Sequence, residues 1–149
     1  MRVLSASREI AAGAGTIFEL IADPARQPSW DGNDNLAVAA AGQRVRGVGE
    51  VFAMTLTRTS GVRDNRVTEF EEGRLMAWMP GDAGAEPAGH LWRWRLEPLD
   101  ESRTLVTQTY DWTGLSPESP AARLNRARST TTDMLQASLD RLAALAEAS

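Results

Sequence analysis

Residues 90–96 and 104–112 constrain the fold more than any other part of this chain, because both alternate with a period of two. The first sorts as His90, Trp92, Trp94 and Leu96 against Leu91, Arg93 and Arg95. The second sorts as Val106, Gln108, Tyr110 and Trp112 against Leu105, Thr107, Thr109 and Asp111. That period belongs to strands with one face on a core and the other toward water, which is the habit of antiparallel sheets.

The rest of the chain is arranged around this pair. Residues 2–10 alternate Val3, Ser5 and Ser7 against Leu4, Ala6 and Arg8 and predict a first strand. Residues 14–22 place Ile17, Leu20 and Ile21 on one helical face, and Pro24 disfavours helix at Asp23, so a short helix ends there. A second short helix is expected near residues 25–30, and Asp31-Gly32-Asn33-Asp34 is a turn signal. From Leu36 to Trp112 the text is strand-like, with about six strands. Phe52, Met54 and Leu56 share one side of residues 51–57, and strands are also expected at 66–70 and 75–79. The segment 80–89, rich in Pro and Gly, reads as a loop. Ser119-Pro120 reads as an N-cap followed by proline at the first helical position. A long helix to about residue 147 then carries Leu124, Ala127, Thr131, Met134, Leu135, Ser138 and Leu142 at spacings of three and four. Its weak point is Thr130-Thr131-Thr132, where β-branched side chains lose rotamer freedom. Helices grouped at the two ends of an antiparallel run predict an α+β fold. The 149 residues fit a single domain, 1–149.

Composition narrows the chemistry. The chain has no cysteine and one histidine, His90, so thiol catalysis, zinc–thiolate sites and the HExxH pattern are excluded. All 16 basic residues are arginine, which removes a Schiff-base lysine and a P-loop lysine. A net charge of −4 with interleaved signs argues against a nucleic-acid footprint. Arg123, Arg126 and Arg128 are the local exception, and their helical spacing reads as a solvated face. No stretch approaches the 18 apolar residues of a membrane span, and the start of the chain lacks the apolar run of a signal peptide, so a cytoplasmic protein is expected. Asp31-Gly32-Asn33-Asp34-Asn35 is no calcium loop, since its sixth position is Leu36 and its twelfth Gly42. Gly47-Val48-Gly49 lacks the third glycine of a dinucleotide site and reads as a strand entry. Neither a metal nor a cofactor is expected.

Phe18-Glu19-Leu20-Ile21-Ala22-Asp23-Pro24, followed by Trp30-Asp31-Gly32, resembles the first helix and turn of the SRPBCC superfamily, the helix-grip group. That group contains START lipid-transfer domains, polyketide cyclase/dehydrases and birch-pollen-allergen-like proteins. His90-Leu91-Trp92-Arg93-Trp94 and Thr107-Gln108-Thr109-Tyr110-Asp111-Trp112-Thr113 resemble a bacterial branch often labelled polyketide cyclase. The resemblance covers essentially the whole chain. It implies a seven-stranded antiparallel sheet gripping the C-terminal helix, with an apolar cavity for lipids, sterols, polyketides or other hydrophobic molecules. Fold alone assigns no activity.

Five of the nine aromatic residues are tryptophan. Burying one removes about 200 Å², worth roughly 5 kcal/mol, so core packing accounts for any of them singly. As a set with polar tips they read as a cavity lining. An empty apolar hollow of about 300 Å³ would cost on the order of 7 kcal/mol, so a cavity here must be small, wet or occupied. The expected ligand contacts are Trp30, Phe52, Met54, Trp78, Trp92, Trp94, Tyr110, Trp112 and Met134, with His90 and Gln108 orienting the ligand. His90 has a simpler account as a hydrogen-bonded bystander at a strand end, and Asp111 as the partner of Arg93 or Arg95 on the outer face.

Three functions fit these features. The first is binding of a hydrophobic small molecule by a monomer or homodimer. The second is a polyketide aromatase/cyclase that orients a flexible chain and uses one acid or base, with His90 and Tyr110 as candidates. The third is a regulatory or co-chaperone module acting through its surface, which requires a collapsed interior and an exposed apolar patch.

Overall fold

A computed structural model describes residues 2–149; Met1, the first residue of the N-terminal segment, lies outside them. The chain runs β1 (Val3–Ile10), α1 (Ala14–Ala22), a 3-10 helix (Pro24–Ser29), β2 (Leu36–Val38), β3 (Val51–Leu56), β4 (Val62–Glu71), β5 (Leu75–Asp82), β6 (Leu91–Asp100), β7 (Arg103–Asp111), α2 (Ala121–Ser129) and α3 (Thr132–Glu147). The strands form one antiparallel sheet in the order β1-β7-β6-β5-β4-β3-β2. This is the α+β helix-grip arrangement, with seven strands about a C-terminal helix and two short helices after the first strand.

The period-two reading of β6 and β7 holds. Val106, Gln108 and Tyr110 are buried, as are Trp94 and Leu96, while their neighbours face outward. Buried Leu139, Leu142, Ala143 and Ala146 give α3 an apolar stripe, which meets Ile17, Phe18 and Ile21 of α1 and the inner face of the sheet in one core, while Leu135 packs with Tyr110 and Trp112 in a second cluster. A residue out of register in β4, between Val67 and Glu69, bends the sheet around that stripe.

The turn after the 3-10 helix fixes the distance between sheet and helix. Gly32 donates its amide to Ser138 Oγ at 2.8 Å. A Cβ on Gly32 would strike the Met134 carbonyl oxygen and lie 2.6 Å from Ser138 N and 2.8 Å from Ala137 Cβ. Glycine is required here for its missing side chain, because the turn rests directly on the helix backbone. Trp30 is pinned beside it, donating Nε1–H to the Leu20 carbonyl at 2.7 Å and meeting Trp94 edge-on with centroids 5.0 Å apart.

Four expectations are corrected. The last helix is two helices. Ser129 Oγ and Thr130 Oγ1 donate back to the Asn125 and Arg126 carbonyls at 2.7 and 3.1 Å, and Thr131 Oγ1 accepts from Met134 N at 3.3 Å as the N-cap of α3. Hydroxyl side chains that satisfy the backbone locally end one helix and start the next. Ser119 is not a cap, since Pro120 holds the N-cap position in extended geometry and α2 begins at Ala121.

The residues 80–82, read as loop, continue β5. Pairing of β5 with β6 stops at Trp78, and the Pro80 carbonyl accepts from Ala88 N on that side. The missing N–H of Pro80 therefore falls where no ladder bond is lost. Asp111 pairs with neither Arg93 nor Arg95. It accepts from Thr113 N and Oγ1 at 2.9 and 2.7 Å, while Arg93 forms a two-pronged pair with Glu69 at 2.9 and 2.6 Å. Glu69, Ala77 and Arg93 are in register across three strands, and the small Ala77 lets the guanidinium pass over it to the carboxylate. Arg93 in turn holds Glu69 below the usual carboxylate range.

Replacing Gly32 by alanine forces a methyl into the backbone of α3, so Gly32→Ala is expected to cost about 2–3 kcal/mol, or roughly 5–10 °C in Tm. Thermal and urea denaturation of the variant beside the parent check this, and an unchanged midpoint would contradict the contact.

Candidate functional site

Each central strand divides along its length into a packed half and a hollow half. In β7, Val106 belongs to the core, whereas Gln108 and Tyr110 face a cavity. In β6 the same change runs from Leu96 and Trp94 to Trp92, in β5 from Met76 to Trp78 and Pro80, in β4 from Val67 to Asn65 and Arg63, and in β3 from Phe52 to Met54 and Leu56. The cavity measures about 320 Å³. Trp30, Gln27 and Asp31 close it on one side, and Arg123, Arg126, Ala127, Thr130 and Met134 lie across it on α2, the break and α3. Arg58, Asn125, Arg126 and Ser129 are exposed members of the wall, so the hollow opens to solvent beside α2.

Of the expected contacts, Trp30, Met54, Trp78, His90, Trp92, Gln108, Tyr110 and Met134 line this cavity. Phe52, Trp94 and Trp112 do not, which corrects their expected place. Phe52 stands behind Trp78, edge-on at 5.6 Å, and Trp94 stands behind Trp30 on the packed half. Trp112 packs with Leu115, Ala127 and Leu135 under the Arg2 guanidinium, 4.7 Å from its ring. All three face inward, but alternation alone does not say which half of a strand is filled.

The wall is apolar on one side and polar on another. Trp92 and Tyr110 stack with centroids 4.3 Å apart, and the His90 ring meets Tyr110 edge-on at 6.1 Å. The Gln108 side chain is 3% exposed, and its Oε1 has no partner within the protein; neither has His90 Nδ1. Both residues line the hollow, and these two atoms are buried without a partner. His90 is neutral, since burial first, and then the charges of Arg123, Arg126 and Arg63, push it down to about 4 from an ordinary 6.5. Burial pushes the Tyr110 phenol up to about 12. Burial likewise raises Asp31, whose two carboxylate oxygens accept from Asn33 N and Asn35 N at 3.1 and 3.0 Å.

Arg126 and Arg128 are exposed, as their spacing suggests, and Arg123 is half-buried; Arg123 and Arg126 also line the cavity at its opening. Arg123 donates to Asp82 Oδ2 at 3.1 Å, and Arg63 reaches Asp82 Oδ1 at 3.1 Å from the sheet side. Asn65 and Arg63 were missed in the sequence because the strand was begun at Arg66. The signal lay in Arg63-Asn65-Val67, where the inward face turns polar two residues at a time. Among the described residues no group of three or more His, Cys, Asp or Glu side chains is placed to hold a metal ion, and no helix is long and apolar enough to cross a membrane.

Comparison with known proteins agrees with this architecture. An uncharacterized protein of Mycobacterium tuberculosis, Rv0088, is 33% identical over 116 residues, covering 73% of this chain and 47% of its own length. The chain thus spans about half the length of the curated relatives it matches. Among solved structures, the Zhui aromatase/cyclase from a Streptomyces species matches with a TM-score of 0.67 at 17% identity, over 98% of this chain and 93% of that one. A START superfamily protein from Mycobacterium smegmatis matches with a TM-score of 0.65 at 17% identity, over 97% of each chain. These two likenesses carry the fold alone. The family described as polyketide cyclase / dehydrase and lipid transport matches residues 1–147. The chain belongs to that family.

Proposed function

We propose that this protein binds a hydrophobic small molecule in the cavity between the sheet and the C-terminal helices. The observation that carries this reading is the hollow half of the sheet itself. An empty apolar space of about 320 Å³ would cost on the order of 8 kcal/mol by the scaling for engineered cavities. A wall that alternates Trp78, Trp92 and Met54 with Gln108, Asn65 and His90 lowers that cost by admitting water, and it keeps room for a ligand that displaces the water. The volume falls at the lower end of the range for small-molecule pockets, roughly 300–1,000 Å³. A module acting through its surface alone requires a filled interior, and this interior is not filled.

The cyclase reading rests on His90 and Tyr110, which share the wall with rings 6.1 Å apart. A general acid or base works best when its pKa lies near the working pH. His90 near 4 and Tyr110 near 12 are far from neutrality on opposite sides. Binding therefore has the stronger support.

The neutral dye N-phenyl-1-naphthylamine, which brightens in apolar surroundings, tests the cavity. Its fluorescence is expected to rise on titration while the tryptophan emission is quenched. Filling the hollow from the loop with Ala88→Phe should weaken the dye by about tenfold or more, the equivalent of 1.4 kcal/mol, with little change in Tm. A dye that ignores the protein, or binds the filled variant equally well, would sink the reading.

The half-buried histidine also predicts a pH dependence. His90 is neutral in the fold near pH 5 but charged in the unfolded chain, so the unfolded state binds the extra proton there. Stability is complete above about pH 6.5 and falls as pH drops toward 4. Between pH 7.5 and pH 5 this one group should remove about 2 kcal/mol. Urea denaturation at both pH values should show that loss in the parent and a smaller one in His90→Asn; equal losses would contradict a neutral imidazole in the fold.

A further inference from the structure

The protein carries a net charge of −4, yet its cavity wall has the opposite sign. Arg58, Arg63, Arg123 and Arg126 line it, against the single carboxylate of Asp31, which is occupied by the Asn33 and Asn35 amides. Three of the arginines converge at the opening beside α2. Asp82 stands behind them and gives one oxygen to Arg63 and the other to Arg123, each at 3.1 Å. Arg126 has no carboxylate within 4.0 Å among the described residues, and Asp82, which pairs with Arg63 and Arg123, forms no bond to it.

Two like charges as neighbours raise the energy of the third. The Arg126 guanidinium is held below its ordinary value by burial first, and then by Arg63 and Arg123. The protein maintains this repulsion at the mouth of the hollow, on a helix whose only buried residue is Ala127. Folding of that short helix does not require the arginines to point inward. A compact anion between Arg63, Arg123 and Arg126 would relieve the repulsion and accept charge-assisted hydrogen bonds from the Arg126 guanidinium, which has no such acceptor among the described residues.

From this excess of guanidinium at the cavity mouth we infer that the ligand is an amphipathic acid, whose carboxylate sits between Arg63, Arg123 and Arg126 while its apolar body lies against Trp78, Trp92 and Met54. The inference rests on the cavity-binding reading and adds the ligand's charge and orientation. His90 and Gln108 share the wall and carry no charge to balance the arginines.

A matched pair of probes isolates the charge. 2-Naphthoate and 2-acetonaphthone share a ring system and nearly a shape, and differ in carrying a carboxylate or a neutral acetyl group. Calorimetric titration is expected to show the acid binding about tenfold or more tightly, the scale that a charge-assisted hydrogen bond supports. That advantage should shrink in high salt, because the mouth is open to solvent. Arg126→Gln, which breaks no ion pair within the protein, should cut the acid's preference over the ketone to about two- or threefold with the Tm unchanged. Equal affinity for the two probes, or an acid preference untouched by Arg126→Gln, overturns the anion site and leaves the cavity reading in place if the naphthylamine dye still binds. Failure of the dye and of both naphthyl probes overturns the cavity reading, and the anion site with it.

Discussion

The contact between Gly32 and the backbone of α3 sets the geometry on which the rest of the molecule depends. A helix held against a curled sheet by side chains alone would settle at whatever distance the largest of them allowed. Here a backbone turn lies directly on the helix, tied by the Ser138 hydroxyl and reinforced by Arg141, which donates to the Asp31 carbonyl and pairs with Asp34 at 2.7 Å. With that spacing fixed, Trp30 is fixed too, and through it Trp94. The packed half of the sheet ends at this pair of rings. The Gly32 contact falls at the first turns of α3, around Met134 to Ser138, and the strands continue past it into the part lined by the cavity.

The hollow is therefore a consequence of length. The central strands extend beyond the part of the sheet that α3 covers, and α2, separated from α3 at Thr130 and Thr131, roofs the remainder without filling it. Side chains on the uncovered half answer to different physics from those on the covered half. Val67, Val106, Leu96 and Met76 meet a helix and are apolar. Arg63, Asn65, Gln108 and His90 continue the same faces but meet the cavity, where polar atoms can find water or a ligand. One inward face thus carries two chemistries in sequence, with the change occurring near the Trp78–Trp92 rung.

Most of the architecture was legible before the structure, and the reasons are local. Period-two alternation in residues 90–96 and 104–112 depends on each strand's own two faces, and so survives as a pattern in the text. The limits of α1 were legible because Pro24 acts on its immediate neighbour. The hollow was only partly legible. Alternation identified Trp92, Trp94, Phe52 and Trp112 as inward, but whether an inward residue meets a helix or a cavity depends on where a distant helix ends. The division at Thr130 and Thr131 depended on hydroxyl groups choosing between competing backbone acceptors. That Arg123 and Arg126 stand at a cavity opening as well as at the surface depends on where α2 lies over the sheet, which their spacing alone does not show. Pro80 misled because its missing N–H matters only when a neighbouring strand is present to need it.

The break between α2 and α3 also separates two kinds of evolutionary freedom. Substitutions in α3, α1 or the packed half of the strands alter the core and are answerable to folding. Substitutions along α2 touch a helix with one buried residue, Ala127, and act first on what the opening admits. If the cavity binds as proposed, a lineage could exchange the side chains of α2, or its length, and alter the accepted guest while inheriting the same scaffold unchanged. Recognition would then be a replaceable part.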